Sequence, residues 1–326
     1  ARAVTVLFHD GRVSASPRFD APFDTPAEER LPPGLENVLA AQALFPLLAE
    51  TEMAGEARDN PVARAARRRP QEAWEMLATR VRTIPAYAAM LTTAYPDIKA
   101  PGDIAIHHIA NALSAFIAAE WQSYDSRYDL FLSGQAVLTA AELRGRALFF
   151  GAAGCSGCHT GALFSDQQFH ALGLPTFGPG RTRAFDPIVR DRGRLNESDR
   201  LEDAYRFRTP MLRNVALTAP YGHNGAYPTL TGIVRHHLDP KAARAAWDPA
   251  LADLPPIPKL AAVDFIAQAD ARETARQAAR IDIAPVALST DEVADIVAFL
   301  GALTGGDSTK GRLGRPDTVP SGLEVD

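Results

Sequence analysis

Cys155-Ser-Gly-Cys158-His159 contains both cysteines of the 326-residue chain. Two thiols three positions apart make no relaxed disulfide staple, so an apolar core, a bound group, or both must hold the fold together. The spacing admits three chemistries. C-x-x-C-H is the covalent attachment site of c-type haem, with the thiols added across the vinyl groups and the histidine on the iron; C-x-x-C alone serves as a redox dithiol or as half a zinc site. A thioredoxin-like dithiol expects a βαβ context, which the surrounding pattern lacks, and zinc would have to draw its other ligands from scattered histidines. Haem is the expectation, with Cys155 and Cys158 as thioether anchors and His159 as the proximal ligand. The sixth ligand then decides the chemistry: a strong one favours electron transfer, an open position favours peroxide or oxygen chemistry. On residue type alone Met53, Met76, Met90, Met211, His170, His223, His236 and His237 all qualify.

The rest of the chain is patterned for helices. Trp74, Leu77 and Val81 form one stripe at helical spacing, and Ile106, Ile109, Leu113, Phe116 and Ile117 form another. Two capping boxes, Thr139-x-x-Glu142 and Ser289-x-x-Glu292, open helices on either side of the cysteine region, the second presenting Val293, Ile296, Val297 and Leu300 on one face. Gly- and Pro-rich stretches, 172–183 and 248–258, read as ordered loops over a cofactor. A break in pattern near residue 135 predicts a boundary, giving domains 1–135 and 136–326. The opening "ARAVTVLFHDGR" is apolar and strand-like.

Composition excludes some partners. The net charge is −5, and the basic run from Arg64 to Arg69 ends at Pro70 with no aromatic residue interleaved, a solvated face rather than a nucleic-acid surface. The longest nearly apolar stretch, 109–119, is well short of the roughly 20 residues a membrane helix needs. With 46% hydrophobic residues there is ample material for a buried core.

Several motifs in fixed order carry a resemblance. "ELRGRALFFGAAGCSGCHTGALFSDQQFHALGLP", "YRFRTPMLRNVALTAPYGHNGAYPTLTGIVRHHLDP" and "LSTDEVADIVAFLGALTG" resemble the C-terminal haem domain of the bacterial di-haem cytochrome c peroxidases, including the MauG-like enzymes. Upstream, "LFHDGRV" and "AQALFPLLAETEMAGE" resemble that family's F-W-D-G-R and E-Q-A-x-x-P-x-x-x-x-x-E-M segments.

The resemblance implies an all-α protein of two cytochrome c-like haem domains packed face to face, with long irregular loops and a calcium ion between them. It implies reduction of hydrogen peroxide to water, with electrons from a small cytochrome c or cupredoxin entering at the C-terminal haem and passing to a peroxidatic haem in the first domain. Oxidation of aromatic residues on a partner protein, as in MauG-like enzymes, and a mono-haem electron carrier are the alternatives. By matched position Gln42, Pro46 and Glu52 line the peroxidatic pocket. Glu52 would move a proton between the peroxide oxygens, Gln42 would hold peroxide by hydrogen bonding, and Pro46 would shape the cavity. Thr218 and Pro220, in Leu-Thr-Ala-Pro, fall on the calcium segment, and Arg213 falls where a guanidinium would pair with a haem propionate.

Some positions depart from the family pattern. The sixth-ligand position, Met in peroxidases and Tyr in MauG-like enzymes, holds His237, with His236 as its neighbour. The position of the inter-haem Trp holds His9, and that of the Trp just before the haem motif holds Ala153. The chain carries one C-x-x-C-H, so the peroxidatic haem c is expected on a further N-terminal segment of a longer protein. Covalent haem attachment in bacteria is completed outside the cytoplasm, so the resemblance implies the periplasm.

Overall fold

The structure, a computed structural model, describes residues 3–15, 22–178 and 190–325. It is helix-rich. The chain divides into two compact units: Ala1–Leu7, Arg12–Gln122 and Lys310–Asp326 form the first, and Phe8–Gly11 with Ser123–Thr309 the second.

The first unit holds a two-residue antiparallel ribbon, β1 (Val6–Leu7) and β2 (Val13–Ser14), followed by α1 (Val38–Ala43), α2 (Pro61–Ala66), α3 (Pro70–Arg82), α4 (Pro85–Ala94) and α5 (Ile106–Glu120). Pro opens α2, α3 and α4, where its fixed φ suits the first helical position and its missing N–H costs nothing. Trp74 is buried and its indole N–H donates to the Leu44 carbonyl at 3.2 Å, which ties α3 to the end of α1.

α5 confirms its expected helix but not its expected face. The buried residues are Ile106, His108, Ala110, Asn111, Ser114 and Glu120, while Leu113 and Phe116 are exposed and Ile109 and Ile117 half-buried. Polar bonds set this rotation. Asn111 donates to Gly34 O at 2.9 Å and accepts from Glu36 N at 3.1 Å, and Ser114 donates to Asn37 Oδ1 at 2.8 Å. The same Asn37 oxygen caps α1 by accepting from Leu39 N and Ala40 N. Leaving these buried amides unpaired would cost more than exposing two apolar side chains.

The second unit contains α6 (Arg127–Leu132), α7 (Ala140–Phe150), α8 (Leu195–Ser198), α9 (Leu230–Leu238), α10 (Pro240–Ala245), α11 (Pro258–Ala261), α12 (Ile266–Ala269), α13 (Ala271–Ala278) and α14 (Thr290–Gly301), with a ribbon of β3 (Phe169–His170) and β4 (Phe207–Arg208). Both expected capping boxes are formed: Thr139 N–H donates to Glu142 at 2.7 Å, and Ser289 N–H to Glu292 at 2.8 Å. α7 packs on α14 so closely that a Cβ on Gly145 would lie 1.8 Å from the Asp295 carbonyl oxygen. Beside this contact Arg144 grips the Asp295 carboxylate with two bonds, of 2.7 and 2.8 Å. Phe149, Phe164, Phe299 and Tyr128 form an aromatic cluster, with Tyr128 and Phe299 edge-on at 5.2 Å.

The unit boundary falls at residues 122 and 123, not near 135, because α6 belongs to the second core. Tyr128 enters the aromatic cluster, and Arg213 holds Asp129 with two bonds, of 2.8 and 2.9 Å, and Ser123 O with a third. The tail from 310 returns to the first unit, where the Glu120 carboxylate accepts from Arg312 N and Leu313 N. The strand-like opening splits as well. Phe8–Gly11 is held by the second unit, with Arg208 donating to Phe8 O and Arg194 to Gly11 O. Gly11 has φ +72° and its missing Cβ would sit 2.3 Å from the Phe169 ring, so glycine is required in "HDGR" on both counts. Residues 179–183 of the expected 172–183 loop lie outside the described residues.

Candidate haem-binding site

α7 ends at Phe150, and after the left-handed Gly154 the cysteines sit on a short 3-10 turn, Cys155–Gly157. His159 N donates to Cys155 O at 2.9 Å, which curls the pentapeptide so that both sulfurs and the imidazole line one cavity. Both thiols are free and half-buried; burial pushes Cys155 up to about 11, and burial followed by the charge of Asp166 raises Cys158. A reactive dithiol needs a thiolate at neutral pH, which this environment opposes. Among the described residues only Cys158 of the two joins a cluster of metal donors, with Asp166 and His170, and there His170 Nε2 is already bonded to Asp166 at 2.8 Å.

The cavity has a volume of about 590 Å³ and an apolar wall. Phe149 and Ala153 come from α7 and the segment after it, Ile296 and Leu300 from α14, and Leu230, Ile233, Val234 and His237 from α9. The α9 set falls at i, i+3, i+4 and i+7, one helical face. That spacing was present in "LTGIVRHH" and could have identified the face as a cofactor wall.

His159 and His237 face each other across this space. The His159 Nδ1 lies 3.0 Å from Phe164 O and the His237 Nδ1 2.8 Å from Ile233 O. Carbonyls only accept, so each ring carries its proton on Nδ1 and keeps the Nε2 lone pair for a ligand. Burial and then the neighbouring His237 push His159 down to about 4, so it is a neutral donor near pH 7. The two ring centroids are 6.3 Å apart. A metal–imidazole bond of about 2.0 Å plus about 1.1 Å from nitrogen to centroid, doubled, gives about 6.2 Å for two imidazoles on opposite sides of one metal. The donor set, the apolar wall and this separation fit a haem c.

The other sixth-ligand candidates separate on the same geometry. His236 is fully buried with both nitrogens engaged, Nδ1 by Tyr227 Oη at 2.9 Å and Nε2 by Leu172 O at 2.8 Å. Met53 and Met90 are exposed in the first unit; Met76 lies on α3 of that unit. Met211, His170 and His223 line the cavity, His223 stacked on Phe207 at 3.6 Å and 3.4 Å from the Asp191 carboxylate.

His9 joins that stack, 5.6 Å from the His223 ring, so its side chain reaches the cavity wall. Thr218 and Pro220 also lie on the wall, with the Thr218 hydroxyl donating to Val215 O at 3.1 Å. Arg213 does not line the cavity. It bonds Asp129, Ser123 O and Ala162 O, so the carboxylate beside it in this structure is a protein one. Burial pushes Asp129 up, but the bonds from Arg213 and Ser126 outweigh it and leave the carboxyl below its ordinary value. Arg208, which sequence reasoning passed over, is the guanidinium on the wall.

Gln42, Pro46 and Glu52 follow one another in the first unit. Gln42 is half-buried on α1, Pro46 opens a 3-10 turn, and Glu52 is exposed on the next turn, which folds back as Met53 N donates to Pro46 O at 3.3 Å.

The fold is helix-rich, and the donor set of the site is one that fits a c-type haem. Residues 1–137 match the family model described as di-haem cytochrome c peroxidase. A cytochrome-c peroxidase, IdrP1, of Denitromonas iodatirespirans is 37% identical over 130 residues, 33% of this chain and 34% of that protein. The methylamine utilization protein MauG of Methylorubrum extorquens is 27% identical over 207 residues, 63% of this chain and 50% of its own. The crystal structure of a MauG-like protein associated with microbial copper homeostasis superposes with a TM-score of 0.53 at 27% identity, over 82% of this chain and 69% of that one. The chain is thus similar to di-haem cytochrome c peroxidases over its first 137 residues and to MauG-like proteins over a larger share. It spans about a third to a half of the length of these curated relatives. Among the described residues no helix is long and apolar enough to cross a membrane.

Proposed function

We propose that the chain is part of a periplasmic di-haem peroxidase that reduces hydrogen peroxide to water, its second unit being the haem domain through which electrons enter. The carrying observation is the 6.3 Å opposition of His159 and His237 across an apolar cavity that also receives Cys155 and Cys158. In this reading Cys155 and Cys158 would hold the cofactor covalently, and His159 and His237 would be its nitrogen ligands. Bound there, haem iron supplies one-electron redox chemistry, and two nitrogen ligands in place of nitrogen and thioether favour the oxidised state. Such a closed site suits electron delivery from a small cytochrome c or cupredoxin.

Peroxide chemistry falls to the first unit, with a second haem c carried elsewhere in the protein. Glu52 takes a proton from one peroxide oxygen and returns it to the leaving one, Gln42 holds the peroxide, and Pro46 shapes the pocket. Thr218 and Pro220 offer hydroxyl and carbonyl oxygens of the hard kind that calcium takes. The similarity to MauG supports a second reading, oxidation of a partner protein; the acceptor of the oxidising equivalents separates the two.

Intact mass and a haemochrome assay on the full-length protein test the proposal, which expects two haems. One haem would refute it in favour of a mono-haem carrier. In the two-haem protein, Glu52→Gln should lower peroxide turnover on the order of a hundredfold with the spectrum of the His159 haem unchanged. Undiminished turnover would remove Glu52 from that role.

A further inference from the structure

At one corner of the cavity, hydrogen-bonding capacity is left over. Among the described residues that line the wall, Arg208 is the one Lys, Arg, Asp or Glu. Its Nε donates to Phe8 O and its Nη1 to Thr209 O, each at 3.1 Å, and no acceptor among the described residues meets Nη2. Burial alone holds the guanidinium below its ordinary value, with no carboxylate raising it. An arginine fork that ends on backbone carbonyls keeps a charge and two N–H donors for a further partner.

His223 completes the corner. Its side chain is 6% exposed, and neither ring nitrogen has a hydrogen-bond partner among the described residues. Nε2 stands 3.4 Å from an Asp191 carboxylate oxygen, and Nδ1 is the free nitrogen on the other side of the ring. The ring lies flat on Phe207 with centroids 3.6 Å apart, so it cannot turn to find a partner. Buried polar atoms left unpaired in this way are rare. His9 links the two residues: its carbonyl accepts from Arg208 N at 2.8 Å, and its ring lies 5.6 Å from that of His223. Phe207, which stacks His223, and Arg208 are consecutive residues of β4, so one ladder with β3 fixes both groups.

We propose that Arg208 and His223 form a carboxylate subsite, built to receive a haem propionate. The proposal rests on the reading of the cavity as the haem site of Cys155, Cys158 and His159. Thioether attachment uses the vinyl groups of the cofactor and leaves its two propionates to be placed. A carboxylate entering an apolar cavity needs an opposite charge and hydrogen bonds. Arg208 meets that need through Nη2 while its other nitrogens stay on Phe8 O and Thr209 O. His223, between Asp191 and the propionate, would donate to both, which gives its two orphaned nitrogens their partners.

The test is redox-triggered infrared difference spectroscopy on the full-length, haem-loaded protein, with heavy carbon placed in the propionates by feeding carboxyl-labelled aminolevulinic acid during expression. Carboxylate bands that shift with the label belong to the propionates, not to Asp191 or to an anion from solvent. The expected result is that Arg208→Leu and His223→Phe each displace a labelled band, the second while keeping a ring to stack on Phe207. Arg208→Leu should also favour oxidised iron about tenfold, a fall of about 60 mV in the midpoint of the His159 haem, and Arg208→Lys should restore it. Labelled bands at wild-type positions in both variants overturn the proposal. Should Arg208→Leu fail to take up haem, Arg208→Lys decides, since it keeps the charge and loses the fork: a displaced band supports the subsite, and an unmoved one overturns it. A Cys155–His159 peptide that carries no haem by mass would instead defeat the haem reading, and the subsite with it.

Discussion

Gly145→Ala should destabilise the second unit although it replaces a poor helix former with the best one. The new Cβ would lie 1.8 Å from Asp295 O, 2.4 Å from Asp295 C and 3.0 Å from Ile296 N, all backbone atoms of α14. Relief to a contact of about 3.2 Å requires α7 and α14 to part by roughly 1.4 Å, because no side chain can rotate aside and the interior is already close-packed. Overpacking of this kind costs about 1–3 kcal/mol, and opposing backbone places the change near the upper end. The helical preference of Ala over Gly returns about 1 kcal/mol. The net is a loss of about 2 kcal/mol, or a fall of about 4–8 °C in the midpoint of a unit of this size. The separation would also strain the Arg144–Asp295 pair and withdraw Ile296 and Leu300 from the cavity wall. Thermal unfolding followed by circular dichroism and by haem absorbance measures both effects. Gly301→Ala is the control, since a Cβ there meets nothing within 4 Å, and it should be neutral or slightly stabilising. A Gly145→Ala midpoint at or above wild type would refute the close-packing reasoning.

His237→Ala should convert the haem of the second unit from a six-coordinate low-spin to a high-spin absorption spectrum, and an unchanged spectrum would remove His237 from the ligand set. Asp129→Asn should cost about 2 kcal/mol, since it strands the largely buried Arg213 guanidinium but leaves it two backbone carbonyls. Asp129 is held below its ordinary value in the fold, so its contribution is fully present above the unfolded carboxylate value of about 4 and is lost as pH falls below it. Urea midpoints between pH 7 and pH 3 should therefore fall more steeply for wild type than for Asp129→Asn; parallel slopes would show that the pair is not a source of the acid sensitivity.

Much of the helical framework was legible because its signals are local. Thr139 and Glu142, or Ser289 and Glu292, need only each other and one turn of backbone to form a capping box, and both boxes are present. Val293, Ile296 and Leu300 are buried on one face of α14 as their spacing predicts, with Val297 half-buried. α5 shows the limit. Its apolar period marked a helix, but Asn111 and Ser114 turned another side inward by bonding to residues 34–37, some 77 positions away in the chain. The same distance dependence hid the α6 boundary, which depends on Arg213 reaching Asp129.

At the site, the C-x-x-C-H donor set was legible in five adjacent residues, because two thiols and an imidazole can be brought to one cavity by a single turn. The opposing histidine could not be encoded that way. His236 and His237 are equivalent in composition and differ by 100° around α9, and only the packing of that helix turns one toward His159 and the other toward Tyr227 and Leu172. Sequence by itself determined which groups could bind a haem iron; the tertiary structure decided which histidine faces His159, since direction in space is set by contacts that no local spacing contains.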